Sequence, residues 1–345
     1  MKTEYKMLLQ NLLEPLIDPN DNYKSIKDST DRLYEFFEAI SGVNNFEEVY
    51  IKDMETDHGR AIGTYWAGKC IHEFMRTKKF IHGVYLGILE AKQKFPDTRI
   101  HILYAGTGPF GSLLLPLTAL FEPREISITG IEINSESANV LQQVINKLDI
   151  RAYINEIQIC DATTINIQHL APVHMMISET MLNALRREPQ VSIMRNLVPQ
   201  MVEGGIWIPE NIHVELHGVD PRRDHHQMLG TLPHGESASI FIGEVICLNK
   251  ISCLKAESFN SIHIIDKEQY DRSYRNLVLK TSIDVLGDIH IDNNECSLTL
   301  PQRILSLKPE DKLPKQFQFN YNISQNPGFE YSIVFYNDEN QCDKS

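Results

Sequence analysis

RIHILYAGTGPFG (99–111) is an apolar run that breaks into three glycines, Gly106, Gly108 and Gly111. The run has the length and aliphatic content of a buried strand, and glycines directly after a strand let the backbone turn tightly and approach a ligand closely. An apolar helix is expected next, whose unpaired N–H groups favour an anionic group at the turn. EISITGI (125–131) is a second strand, and Glu132 ends it 21 residues beyond Gly111. A carboxylate at that place can accept both hydroxyls of an adenosine ribose. INEIQIC (154–160), VHMMIS (173–178) and GGIWIP (204–209) continue the series, separated by helix or loop. Such alternation predicts the α/β class, with a doubly wound, Rossmann-like parallel sheet.

Outward from this centre the texture changes. Residues 6–41 predict one or two amphipathic helices around the turn-forming DPNDN (18–22), and a second helical stretch is expected over roughly 60–94. A helix is expected around 190–202. Beyond 211 the segments IHVELHG, ASIFIGEVICL, RNLVLKTSIDVL, KQFQFNYNI and EYSIVFY are strand-like, separated by Pro, Asn and Gly, with no helix expected among them. That third reads as a β-rich, barrel-like or sandwich domain. The 345 residues are more than one core usually organises. The expected division is an N-terminal helical segment (1–45), a cofactor-binding domain (46–210) and a β-rich domain (211–345).

A formal net charge of −13 disfavours non-specific binding to nucleic acid phosphates and favours a cationic ligand. The six cysteines (70, 160, 247, 253, 296 and 342) show no CxxC pairing, which argues against a structural zinc site and a disulfide framework. His225 and His226 fit a solvated loop better than a metal site, so no metal is expected. The first residues mix acids into an apolar stretch, unlike a signal peptide, and no apolar run approaches ~18 residues. A cytoplasmic setting without membrane contact is the expectation.

The glycine pattern taken literally is the GxGxxG dinucleotide fingerprint, so a nicotinamide-dependent oxidoreductase is a rival to any other nucleoside cofactor. Asp161 and Ala162 follow the third strand, where a carboxylate either touches an adenine amino group or caps a turn. The discriminating stretch is SETMLNALRRE (178–188), after the fourth strand. Glu179 and Glu188 stand nine residues apart at the carboxyl end of a central strand, where open α/β sheets place ligands. Two facing carboxylates are costly unless a cation lies between them, and a planar guanidinium pairs bidentately with carboxylates. A carboxylate held against one guanidinium nitrogen can orient that nitrogen and localise charge on it. A plain helix-face pairing of Glu188 with Arg186, Arg187 or Arg195 is the competing account. The polar Glu55–Arg60 segment is a further candidate to close over a substrate.

Ser178-Glu179, Met181 and Glu188 at this spacing resemble the double-glutamate loop of the protein arginine methyltransferase family, which uses S-adenosylmethionine. Gly130-Ile131-Glu132 resembles its ribose-binding motif. Ile71-His72-Glu73 with Met75 and Tyr85 resembles its cofactor-covering segment, and Gly204–Pro209 its strand into a barrel. The resemblance spans residues 62–210 by motif. It implies ribose binding by Glu132 and a cofactor turn at Gly106, Thr107 and Gly108. It also implies adenine contacts at Asp161 and Ala162, and His72 beside the cofactor's methionine end. Glu179 and Glu188 would bind the guanidinium, with Glu179 also bordering the cofactor and Met181 lining the transfer site. The arginine expected to hold the cofactor carboxylate falls on Ile81, leaving Arg76, Lys78 and Lys79 as substitutes. The Thr-His-Trp triplet is absent, Thr299-Leu300-Pro301 being nearest, and only 217–236 could hold the dimerisation arm. These departures favour free L-arginine or a small guanidino compound over arginine in a protein, and they also support a catalytically silent module. The family's layout implies a homodimer, with the N-terminal helices as a possible substitute for the arm.

Overall fold

The computed structural model describes residues 1–43, 48–255 and 258–336. Helix α1 (Thr3–Ile17) buries Leu9, Leu12, Leu13 and Leu16, an i, i+3, i+4, i+7 stripe. Helix α2 (Tyr23–Ser41) starts where the Asn22 side chain accepts the Ser25 N–H at 3.1 Å. Its Phe37 stacks on Phe110 of the glycine-rich turn, with ring centroids 5.3 Å apart. The N-terminal helices thus brace that turn.

After α3 (Glu48–Ile51), residue 60 lies not in a helix but in a hairpin, β1 (Met54–Thr56) with β2 (Gly59–Ala61). The short Asp57-His58-Gly59 turn, held by Thr56 Oγ1 accepting the His58 N–H, makes the reversal that helical periodicity hid. Helix α4 (Thr64–Lys69), a 3-10 turn (Cys70–His72) and α5 (Phe74–Lys94) follow.

The core sheet holds β3 (Ile100–Ala105), β4 (Ile126–Glu132), β5 (Ile154–Ile159), β6 (Met175–Ser178) and β7 (Ile206–Ile208), with α6 (Ser135–Leu148) and α7 (Gln190–Leu197) between strands. All pairings are parallel, in the order β5-β4-β3-β6-β7. Every residue of β3 and β4 is buried, which is why these strands read as unbroken apolar runs. The chain lays β4 and β5 on one side of β3, then returns to place β6 and β7 on the other. The reversal lies between β3 and β6, whose carboxyl ends carry Gly106 and Glu179. The expected helix after the glycine turn is only a 3-10 helix, Leu115–Ala119. Pro116 at its start supplies no N–H, and Gly111 turns the backbone with φ +54° just before.

The last third contains β8 (Asn211–Val219), α8 (Pro221–Met228), β9 (Ser239–Asn249), α9 (Lys250–Lys255), β10 (Asn260–Ile264), β11 (Asn276–Leu286), β12 (Ile289–Ile291), β13 (Gln302–Ser306), β14 (Pro314–Asn322) and β15 (Gly328–Phe335). They form two antiparallel sheets. One runs β12-β11-β8-β9 with β13 also on β11, and the other β10-β14-β15. Helices α8 and α9 correct the expectation of none. The Asp220 side chain caps α8 through the Arg222 N–H, and Pro221 sits in its first turn. No residue of α8 is buried, so it has no apolar stripe to betray it. Gly83 lets α5 touch β11 closely, since a Cβ there would meet Val285 Cγ1 at 2.5 Å. One continuous apolar cluster runs from Leu9 to Tyr321 through both parts. Among the described residues no helix is long and apolar enough to cross a membrane.

Candidate functional site

The site is built at the reversal of strand order, where α/β sheets open a crevice at the strands' carboxyl ends. Gly106 turns the chain off β3 with φ +74°, and a Cβ there would stand 2.3 Å from Thr180 Cγ2. Only glycine lets the β3 turn and the β6 loop come this close. Glu132 is buried at the end of β4. Its Oε2 accepts the Gly108 N–H at 2.8 Å and its Oε1 the Asn134 N–H at 2.9 Å. Burial raises this carboxyl's pKa, opposed by the backbone donors of Asn134 and Gly108.

The loop from Glu179 to Glu188 is held from both ends. Gln190, fully buried, accepts from the Thr180 N–H (3.0 Å) and the Thr180 hydroxyl (2.9 Å), and its Nε2 donates to the Ser178 carbonyl (3.2 Å). Three non-glycine residues in the loop, Ala184, Leu185 and Arg187, have φ of 53°, 53° and 67°. Such backbone costs of order 1–3 kcal/mol per residue and persists only when surroundings impose it. Here the β-rich part imposes it. Thr281 Oγ1 accepts the Ala184 N–H at 2.9 Å, the Tyr321 hydroxyl donates to the Leu185 carbonyl at 2.6 Å, and the Pro327 carbonyl accepts the Arg187 N–H at 2.7 Å.

A cavity of about 350 Å³ opens between the glycine turn and the glutamate loop. Gly106, Gly108, Glu132, Asp161 and Ala162 line it together with Glu179, Met181 and Glu188. Thr56 and Arg60 of the β1–β2 hairpin close one side, and Ser297 and Leu298 of the β-rich part another. Asp161 both lines the cavity and caps a turn, its Oδ1 accepting the Thr163 N–H at 2.8 Å. Two of the expected residues stand apart from the lining. Thr107 is buried behind the turn with its methyl toward Gly130. His72 turns to α2, with Nδ1 2.9 Å from Asp31 Oδ1 and its ring 4.3 Å from that of Tyr34.

The electrostatics centre on Arg76. Of the three cations considered for an anion, Lys78 and Lys79 both pair with Asp21, while Arg76 enters the cavity. Its guanidinium is ion-paired to Glu179 Oε2 and lies 3.2 Å from Glu73 Oε2. Glu73 in turn accepts from the Ser297 hydroxyl at 2.9 Å, so a polar chain links the β-rich part to Glu179. The other oxygen of Glu179, Oε1, is buried with no partner. Burial raises the Glu179 carboxyl, against the pull of Arg76. Burial and the neighbouring Glu179 push Glu188 up to about 8. The two glutamates thus line one cavity, with Arg76 paired to Glu179 and Arg60 also among the lining residues. Gln190 and Ser297 carried no sequence signal. Arg76 carried one, as one of three cations near the place where the resemblance expects an arginine.

No family model matches the chain, and no curated protein matches it. Among solved structures, the Trypanosoma brucei PRMT1 enzyme–prozyme heterotetrameric complex with AdoHcy superposes with a TM-score of 0.50 at 13% identity, covering 76% of this chain and 91% of that one. Arabidopsis thaliana protein arginine methyltransferase 10, in an open conformation, gives 0.47 at 12% identity, covering 72% and 84%. The likeness is one of fold. The chain shares that fold over most of its length, with a Rossmann-like parallel sheet followed by a β-rich part.

Proposed function

We propose that the chain is an S-adenosylmethionine-dependent N-methyltransferase acting on a guanidinium, with free L-arginine or a small guanidino compound as acceptor. One observation carries it: two buried carboxylates, Glu179 and Glu188, open onto the same cavity as a glycine turn and a buried strand-end glutamate. The residues present fit the cofactor. Glu132, fixed by two backbone donors, would hold the ribose hydroxyls, and Gly106 and Gly108 leave room for close backbone approach. Asp161 would meet the adenine amino group. Arg76, already in the cavity, would hold the carboxylate of the methionine moiety. When bound, S-adenosylmethionine supplies a methyl group on a positively charged sulfur.

The chain's own residues do the rest. Glu179 Oε1, buried and unpartnered, is placed to accept one guanidinium N–H while Oε2 stays with Arg76. Glu188, whose pKa near 8 keeps it largely protonated at neutral pH, would lose its proton as a cation arrives. As a carboxylate it can pair with the guanidinium and then take the proton that the methylated nitrogen releases. The hairpin and Ser297–Leu298 also wall this cavity, which supports a small substrate over a polypeptide. The insert that would form a dimerisation arm holds only the eight-residue α8, and a homodimer is proposed through other surfaces, including the N-terminal helices. Calorimetric titration tests the pairing of ligands. The protein should bind S-adenosylhomocysteine, should then bind arginine, and should not bind NAD⁺. Binding of NAD⁺ instead would overturn the proposal.

A further inference from the structure

A second cluster lies on the outer face of the β-rich part, away from the cavity. Strand β8 alternates Ile212, Val214 and Leu216 inward with His213, Glu215 and His217 outward. His213 pairs in register with Cys247 of β9. Two residues three apart on a regular strand face opposite ways, so Glu244 and Cys247 should not share a face. They do, because the register shifts between Val214 and Glu215, leaving Val245 as an extra residue. Val245 and Ile246 are consecutively buried, as a bulge requires. The bulge brings Glu244 and Cys247 to the same side as His213, and ligating atoms of the three lie within 4.8 Å of one another.

The geometry points to a zinc-class divalent metal site formed by His213, Glu244 and Cys247, with Asp284 of β11 orienting the histidine. His213 Nε2 is 3.1 Å from Asp284 Oδ2, and that oxygen also accepts from Asn211 Nδ2 at 3.0 Å. A carboxylate behind one imidazole nitrogen fixes ring and tautomer, and exposes the other nitrogen to a metal. The other nitrogen, Nδ1, lies 3.3 Å from Glu244 Oε2. That separation matches the edge of a tetrahedron with metal–ligand bonds of about 2.0–2.1 Å. Sulfur, nitrogen and carboxylate donors together select zinc over magnesium or calcium, which prefer all-oxygen sets. Three protein ligands leave a fourth position for water or another group. The metal would tie β8, β9 and β11 together on an otherwise open sheet face. Binding requires a thiolate and a neutral imidazole, so it releases protons and weakens as pH falls.

The competing account is a bare ion-pair ladder, with His213 protonated between Glu244 and Asp284. Cobalt(II) titration of the chelator-treated full chain distinguishes the two. The metal site predicts thiolate-to-cobalt charge-transfer absorption in the near ultraviolet that saturates at one equivalent and is displaced by zinc. C247S removes that band, H213Q weakens zinc by at least about 10-fold, D284N weakens it roughly 10-fold, and C160S changes nothing. Zinc also raises the melting temperature of the wild type but not of H213Q. An absent band, a band unchanged in C247S, or equal zinc stabilisation of wild type and H213Q would overturn the site and leave the ion-pair ladder.

Discussion

Glu188→Gln should make the ligand-free protein more stable at neutral pH while abolishing its chemistry. The Glu188 carboxyl is 8% exposed, and burial beside Glu179 moves its pKa from 4.5 to about 8. The folded state therefore holds a proton that the unfolded chain has already released. Stability is full below about pH 4.5 and falls as pH rises, until the folded carboxyl ionises near 8. At 1.36 kcal/mol per pKa unit the whole window is worth about 5 kcal/mol, and about 4 of it is gone by pH 7.5. Glutamine copies the shape and hydrogen bonding of the protonated acid and does not titrate. At pH 7.5 E188Q should then exceed wild type by roughly 2–4 kcal/mol, and near pH 4.5 the two should nearly coincide. Urea unfolding followed by circular dichroism at pH 5, 6.5 and 8 measures this directly. Parallel pH profiles for the two proteins would refute the reasoning, because they would show that Glu188 is solvated or already compensated. The same amide cannot neutralise a guanidinium, so methyl transfer should be lost although the fold is firmer, a trade of stability against function common at active sites.

Glu179→Gln should lower methyl transfer by about 10²-fold or more while S-adenosylhomocysteine affinity, read by calorimetry, changes only a few-fold. Arg76→Ala leaves the buried Glu179 without its cation, so thermal denaturation should show a loss of roughly 3–5 kcal/mol, and the cofactor product should bind at least about 10-fold more weakly. An unchanged affinity in Arg76→Ala would remove this residue from the cofactor's carboxylate. Glu132→Gln should weaken S-adenosylhomocysteine by roughly 10- to 100-fold, through loss of charge-assisted bonds worth about 1.5–3 kcal/mol. Full affinity in that variant would mean the ribose lies elsewhere.

Four of the five parallel strands were legible because a strand buried on both faces is a continuous apolar run, and β3, β4, β6 and β7 are buried throughout. The edge strand β5 is partly exposed and was read from its place in the series. The glycine turn was legible because Gly106 has no alternative beside Thr180. Helices α8 and α9 escaped, being short, and α8 buries nothing, so only its Asp220-Pro221 cap marks it. The hairpin at Met54–Ala61 escaped because each strand is three residues long, too short for a period. At the site, the two glutamates were visible as a spaced pair on a loop. The role of Arg76 was not fixed, since its partner Glu179 is 103 residues away and three nearby cations competed for one place. His72, grouped with the cofactor by resemblance, is drawn to Asp31 by a helix whose packing the motif does not encode. The His213–Cys247 cluster needed the Val245 bulge, which no residue spacing announces.

The most direct test of the proposed activity is mass spectrometry of the purified chain incubated with S-adenosylmethionine and free L-arginine, with an arginine-rich peptide in a parallel reaction and E188Q as control. The account predicts a methyl group on free arginine, formed by the wild type and not by E188Q. Methyl groups on the peptide alone would contradict the small-acceptor assignment. No methyl on either, from protein that binds S-adenosylhomocysteine, would contradict the guanidinium clamp itself.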